Sequence, residues 1–146
     1  MFRGSAQATV DDKGRLKIPT DFRRQLEERW GSELFITSLD GNSAFLYPLP
    51  VWEEIETKLL AMPSTHPVRE RYLERVNFFG LQARTDPQGR VLIPPILREA
   101  AQMSGEVVVG GRINHLEVWN RERFAKKLAG EPFSAEDKQT LAEYGI

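Results

Sequence analysis

Cysteine is absent from the 146 residues. That excludes disulfides, thiolate metal sites and a cysteine nucleophile, and leaves no mark of an oxidising compartment. Histidine is almost as scarce: His66 and His115 stand far apart with no ligand spacing, so neither a metal nor a cofactor is expected. Long hydrophobic runs are missing too. The longest apolar stretch, Ala44 to Trp52, is broken twice by proline and falls far short of the roughly 20 residues of a membrane span. Residues Met1 to Gln7 lack the apolar core of a signal peptide, so a cytoplasmic protein with no membrane partner is expected. Finally, no sign of charge dominates: 21 acids stand against 20 bases, net -1. For the chain as a whole this excludes a basic nucleic-acid arm and an acidic tail, but it says nothing of where the charges sit.

What is present is a globular composition, 40% hydrophobic with eight Phe and three Trp, and an internal repeat. Residues 8–23 align with residues 83–98, with seven of sixteen positions identical. The similarity continues from Glu33 to Ser38 against Glu106 to Gly111, then from Leu46, Tyr47 and Trp52 against Val118, Trp119 and Phe124. The chain is two copies of one unit. Each copy is predicted to run strand, tight turn, strand, helix, strand, strand, helix.

The turn chemistry has a physical basis. Asp86-Pro87-Gln88-Gly89 carries Asp first, Pro second and Gly fourth, the preferences of a type I turn, and Asp11-Asp12-Lys13-Gly14 is the same turn without the proline. Each turn leads to Arg, a short strand and Ile-Pro, where proline stops the ladder and opens a helix. Phe22, Leu26 and Trp30 form one apolar helical stripe ended by Gly31, and Ile96, Leu97, Ala100, Ala101 and Met103 form the second before Gly105. The runs Leu34 to Ile36 and Val107 to Val109 have the look of fully buried strands. Met62 to Pro67 is a linker, Val68 to Val76 a solvated helix, and Ser134 to Asp137 a capping box for a short last helix. A copy of about 75 residues is marginal alone, so the copies are expected to share a core and to oligomerise.

Cut along the repeat, the neutral charge separates. Residues 1–30 and residues 65–100 each carry +2, residues 31–64 carry -4 and residues 101–146 carry -1. Positive charge gathers around both turns. A Gly followed by Arg presents a guanidinium, whose planar fork of donors suits phosphate oxygens or a guanine edge. Spacing alone leaves two readings equal: Arg15 and Arg90 bind an anion, or each pairs with the Asp four residues earlier and pins its turn.

Together these residues resemble the MraZ family of bacterial transcriptional regulators. The resemblance rests on Met1-Phe2-Arg3-Gly4, on Asp11 to Arg15 with Ile18-Pro19, on Leu46 to Trp52, and on Asp86 to Arg90 followed by Leu97-Arg98. It implies an α+β fold of two tandem AbrB-like swapped-hairpin β-barrel units with flanking helices, related by a pseudo-twofold within one chain. The first unit is 1–62, a linker helix 63–76, the second unit 77–130 and a C-terminal tail helix 131–146. It implies a sequence-specific regulator that binds direct repeats in the promoter of the division and cell-wall gene cluster as a nucleoid-associated homo-oligomeric ring. Carried over, the DNA-binding residues are Arg3, Lys13, Gly14 and Arg15, with Gly89 and Arg90 in the second copy. Gln88 stands where the first copy has Lys13, so the second copy is expected to be the lesser reader and to serve packing or assembly. A +2 unit binds duplex weakly, and several units on repeated sites multiply affinity.

Other classes find little support. Gly110-Gly111-Arg112 lacks the partners of a phosphate loop, Glu53 and Glu54 sit on a solvated helix face, and no small-molecule substrate is expected. A partner-binding tail over residues 130–146 is the remaining alternative, and a short helix docked on the fold is favoured over it.

Overall fold

The structure, a computed structural model, describes residues 1–146. The first copy supplies β1 (Ser5–Val10), β2 (Arg15–Lys17), α1 (Thr20–Arg29), β3 (Glu33–Thr37), β4 (Ala44–Pro48) and α2 (Leu49–Ala61). After α3 (Pro67–Phe78), the second copy supplies β5 (Leu81–Arg84), β6 (Arg90–Leu92), α4 (Pro95–Ala100), β7 (Gly105–Gly111), β8 (Leu116–Asn120) and α5 (Arg121–Gly130), and α6 (Ala135–Ala142) ends the chain. The order within each copy is the one predicted, and no helix is long and apolar enough to cross a membrane.

All eight strands form one antiparallel sheet in the order β5-β3-β4-β8-β7-β1-β2-β6, and β5 returns beside β6 so that the sheet nearly closes. The pairings explain the order. β1 pairs with β7 from Ser5↔Gly110 to Val10↔Gly105, and its counterpart β5 pairs with β3 from Leu81↔Ile36 to Arg84↔Glu33. β2 pairs with its own counterpart β6, and β4 with its own counterpart β8. Each copy therefore completes the other's sheet, and exchanging the copies returns every pairing except that of β1 with β2, whose counterparts β5 and β6 lie side by side without a ladder. This is the swapped, pseudo-twofold α+β arrangement.

A single core follows. Leu16, Ile18, Leu26, Leu34, Ile36 and Leu46 of the first copy meet Val91, Ile93, Leu97, Val107, Val109 and Leu116 of the second, all essentially without solvent contact. The two prolines act as expected: Pro19 and Pro94 occupy the cap positions of α1 and α4. Phe22 and Leu26 carry α1 into the core, where Phe2 packs edge-on to Phe22 at 5.9 Å.

Three details depart from the sequence expectation. The helix expected to run up to Gly105 stops at Ala100, and Gln102 takes a left-handed conformation at φ 53°, so Ala101 and Met103 are buried from a turn rather than from a helix. The central residues of the two apolar runs, Phe35 and Val108, point away from the core and stay half-buried. Phe35 stacks on Trp52 of α2 at 4.6 Å. And α3 is not wholly solvated: Val76 is buried, and its carbonyl accepts a 2.6 Å hydrogen bond from the buried Thr37 hydroxyl. The capping box of α6 is present, with the Ser134 hydroxyl accepting from the Asp137 amide and the Asp137 carboxylate accepting from the Ser134 amide.

Candidate nucleic-acid interface

β2 and β6 pair in the register Arg15↔Leu92, Leu16↔Val91 and Lys17↔Arg90. Side chains alternate across a strand, so Leu16 and Val91 enter the core and Arg15, Lys17, Arg90 and Leu92 share the outer face. The two Gly-Arg turns, far apart in sequence, thus open the two ends of one short ribbon. The ribbon is also locked through its backbone: the Ile18 amide donates to the Gly89 carbonyl at 3.0 Å and the Ile93 amide to the Gly14 carbonyl at 2.9 Å.

Both turns have the same construction. Each closes with an amide donated back to its first residue, Gly14 to the Asp11 carbonyl and Gly89 to the Asp86 carbonyl, both at 2.9 Å. One carboxylate oxygen of Asp11 accepts from the amides of Lys13 and Arg15, and the other accepts from Arg15 Nε at 2.8 Å. Asp86 does the same for Gln88 and Arg90, each at 2.9 Å. The carboxyl groups of Asp11 and Asp86 are accordingly held below their ordinary range, first by the backbone amide of the following arginine and further by its side chain, against a partial desolvation that raises them.

The pairing of Arg15 and Arg90 with Asp is therefore real, yet it uses Nε alone. The Nη groups of both arginines make no hydrogen bond within the chain, and each side chain stays about one third exposed. An ion pair this exposed adds little to stability. Its effect is to hold a flexible side chain in one direction with the outer fork of donors free.

Each turn is also covered by an arginine of the other copy. Arg98, from α4, lies against Gly14, and Arg23, from α1, lies against Gly89 with Nη2 donating to the Pro87 carbonyl at 3.1 Å. Gly14 and Gly89 sit at φ +81° and +77°, and a Cβ on Gly89 would come within 2.7 Å of the Arg23 Cδ. Glycine is thus favoured at both positions by its left-handed backbone, and a side chain there would also displace the arginine lying on it.

One end of the ribbon therefore carries Lys13, Arg15 and Arg98 beside Leu92, and the other carries Arg90, Lys17 and Arg23 beside Gln88. The charge missing at Gln88 is restored at the same end by Lys17. With Asp11 and Asp12 at the first end, and Asp86 and the Arg23-bonded Glu27 at the second, each end is net +1. Of the residues expected from sequence, Lys13, Gly14, Arg15, Gly89 and Arg90 are brought together. Arg3 is not: it lies at the far end of β1 from the turn, beside Thr20 and Asp21 at the start of α1. Lys17, Arg23, Arg98 and Leu92 are the members that sequence reasoning did not assign. The shared offset of eight residues from Arg15 to Arg23 and from Arg90 to Arg98 was the available signal.

The two histidines have local partners elsewhere. His66 caps α3, its Nδ1 accepting from the Val68 amide, and His115 stacks on Tyr47 at 4.6 Å with its pKa pushed down by burial.

Comparison with known proteins agrees with this architecture along the whole chain. A family model of the MraZ protein, described as antitoxin-like, matches residues 1–75 and 81–143. A transcriptional regulator MraZ of Acidobacterium capsulatum is 50% identical over 146 residues, covering all of both chains. That of Koribacter versatilis is 46% identical over 147 residues, again covering both chains, and that of Escherichia coli is 36% identical over 141 residues, covering 96% of this chain and 92% of its own.

Proposed function

Because the chain belongs to the MraZ family, we propose that it is a DNA-binding regulator of transcription, not an enzyme, and that the ribbon of β2 and β6 is its reading head. The observation that carries this is the pair of outward arginines with bound Nε and free Nη. The major groove is about 12 Å wide and admits a two-stranded ribbon, and an arginine fork fits guanine O6 and N7. Asp11 and Asp86 hold the forks before DNA arrives, which reduces the entropy lost on binding. Lys13, Lys17, Arg23 and Arg98 flank them as phosphate contacts. On this reading both copies supply cationic side chains to one composite surface, with Arg98 and Arg23 lying over the buried Gly14 and Gly89.

The finer reading is that the target is a set of direct repeats in the promoter of the division and cell-wall genes, bound in the nucleoid by a ring of protomers. Two features support it. A ribbon of net +2 neutralises few phosphates, so one protomer binds weakly and needs neighbours on adjacent repeats. The helices outside the barrel also leave apolar side chains uncovered, among them Leu60, Val68 and Leu128, and Phe133 and Tyr144 flank α6 equally exposed, as assembly through this outer layer requires.

The test is binding against salt on duplexes from upstream of the chain's own gene and on scrambled duplexes. Arg15→Ala and Arg90→Ala are expected to abolish the preference for the promoter duplex with the fold intact. Lys13→Ala is expected to weaken both duplexes alike and to lower the salt slope by about one per protomer. Wild-type behaviour of both arginine variants would refute the ribbon as the reading head.

A further inference from the structure

The ribbon's internal twofold is exact in its arginines and broken beside them. Lys17 and Leu92 each stand two residues after the turn arginine of their copy, so they are counterparts, yet one is a cation and the other an alkyl side chain. Leu92 points outward, 42% exposed, directly opposite Arg15 and with Lys13 and Arg98 at the same end. A leucine there adds no charge for phosphates, and its outer surface stays wet in the free protein. The core does not explain it, because the neighbours Val91 and Ile93 already supply the inward contacts.

Building on the DNA-binding reading above, we propose that Leu92 is a specificity-determining residue. It packs on the C5-methyl group of a thymine in the major groove, and its contrast with Lys17 gives the bound site a direction. The thymine methyl is the one apolar group that the four ordinary base pairs present in that groove, and apolar side chains are what read it. Paired residues on neighbouring antiparallel strands stand about 4.5–5.5 Å apart, so the methyl lies within roughly two base steps of the guanine met by Arg15. A ribbon with identical ends would favour a palindrome. Here one end offers a dry contact and the other an ammonium, so the preferred site reads differently on its two strands.

The experiment uses the full-length chain and the duplex that it enriches from a randomised pool. Each thymine of that duplex is then replaced singly by deoxyuridine, which keeps the base pair and lacks the methyl. One replacement, within about two steps of an Arg15-dependent guanine, is expected to weaken wild-type binding about fourfold, the worth of one buried methyl-sized group. Leu92→Ala is expected to bind the thymine and deoxyuridine duplexes equally. Circular dichroism confirms that this exposed position leaves the fold unchanged. If Arg15→Ala loses the preference for the enriched duplex, but no thymine shows a methyl effect that Leu92→Ala removes, the Leu92 proposal fails and the DNA-binding reading stands. A palindromic enriched site overturns the directional part. If Arg15→Ala keeps the preference, the DNA-binding reading fails, and the Leu92 proposal with it.

Discussion

Asp11 and Asp86 govern the direction of the two turn arginines, and their titration says when that control is lost. Both carboxyl groups are depressed in the folded chain by hydrogen bonds that favour the charged form. A depressed carboxyl stabilises the fold above its unfolded value, near about 3.9, and the contribution disappears as pH falls through the lower folded value. The backbone amide resonances of Lys13, Arg15, Gln88 and Arg90 are therefore expected to keep their native positions down to about pH 4 and to move together only in stronger acid. A second prediction concerns Gly14→Ala. It combines a left-handed backbone with a collision against Arg98, so thermal melting is expected to show a loss of about 1–3 kcal/mol. The Gly-Arg turn was legible in the sequence because its cause is local: the Asp, Gly and Arg that make it are neighbours. Arg98 on Gly14 was not, because that contact joins residues 84 positions apart and exists only once the copies interlace. Arg3, carried over from the resemblance, stands apart from the turn because β1 runs between them.

At the scale of elements, the ribbon shows why comparing the copies position by position was insufficient. Gln88 against Lys13 looks like a lost cation, but the antiparallel pairing sets Lys17 at the end that lacks it. The substitution Lys17→Gln is therefore expected to lower the salt slope of promoter binding by about one per protomer, and adding Gln88→Lys is expected to restore it, as read by titration at several salt concentrations. The short strands were predictable from turn, Arg and Ile-Pro; their partners were not, since three residues carry no register signal of their own. Beneath the ribbon, Leu16 makes no contact with solvent, and Leu16→Ala is expected to destabilise the chain by about 2–5 kcal/mol in denaturant unfolding. Helix ends were legible where proline sets them, at Pro19 and Pro94. The end of α4 was missed because Gln102, without glycine's freedom, still adopts the left-handed turn.

For the whole molecule, the swapped arrangement was implied only by the family resemblance, whereas the shared core follows from copies too small to stand alone, and this much could be anticipated from length. The tail could not. The sequence favoured a docked helix, yet α6 buries none of its residues, and Phe133 and Tyr144 are 62% and 77% exposed. If the tail serves assembly, the double change Phe133→Ser with Tyr144→Ser is expected to reduce the particle mass measured by light scattering while the unfolding midpoint of the protomer stays the same. An unchanged mass would remove the tail from the assembly surface.

The pairing of β1 with β7 also has a consequence in time. Ser5 waits for Gly110, and the ribbon needs Leu16 to meet Val91. At about 5–20 residues per second, the ribosome leaves β1 without its partner for roughly 5–20 s. For most of that interval, until β6 is made, the nascent chain holds only one strand of the ribbon. A transcript cut short before β6 thus releases no half-competent competitor for the same DNA, because such a chain has only one strand of the ribbon.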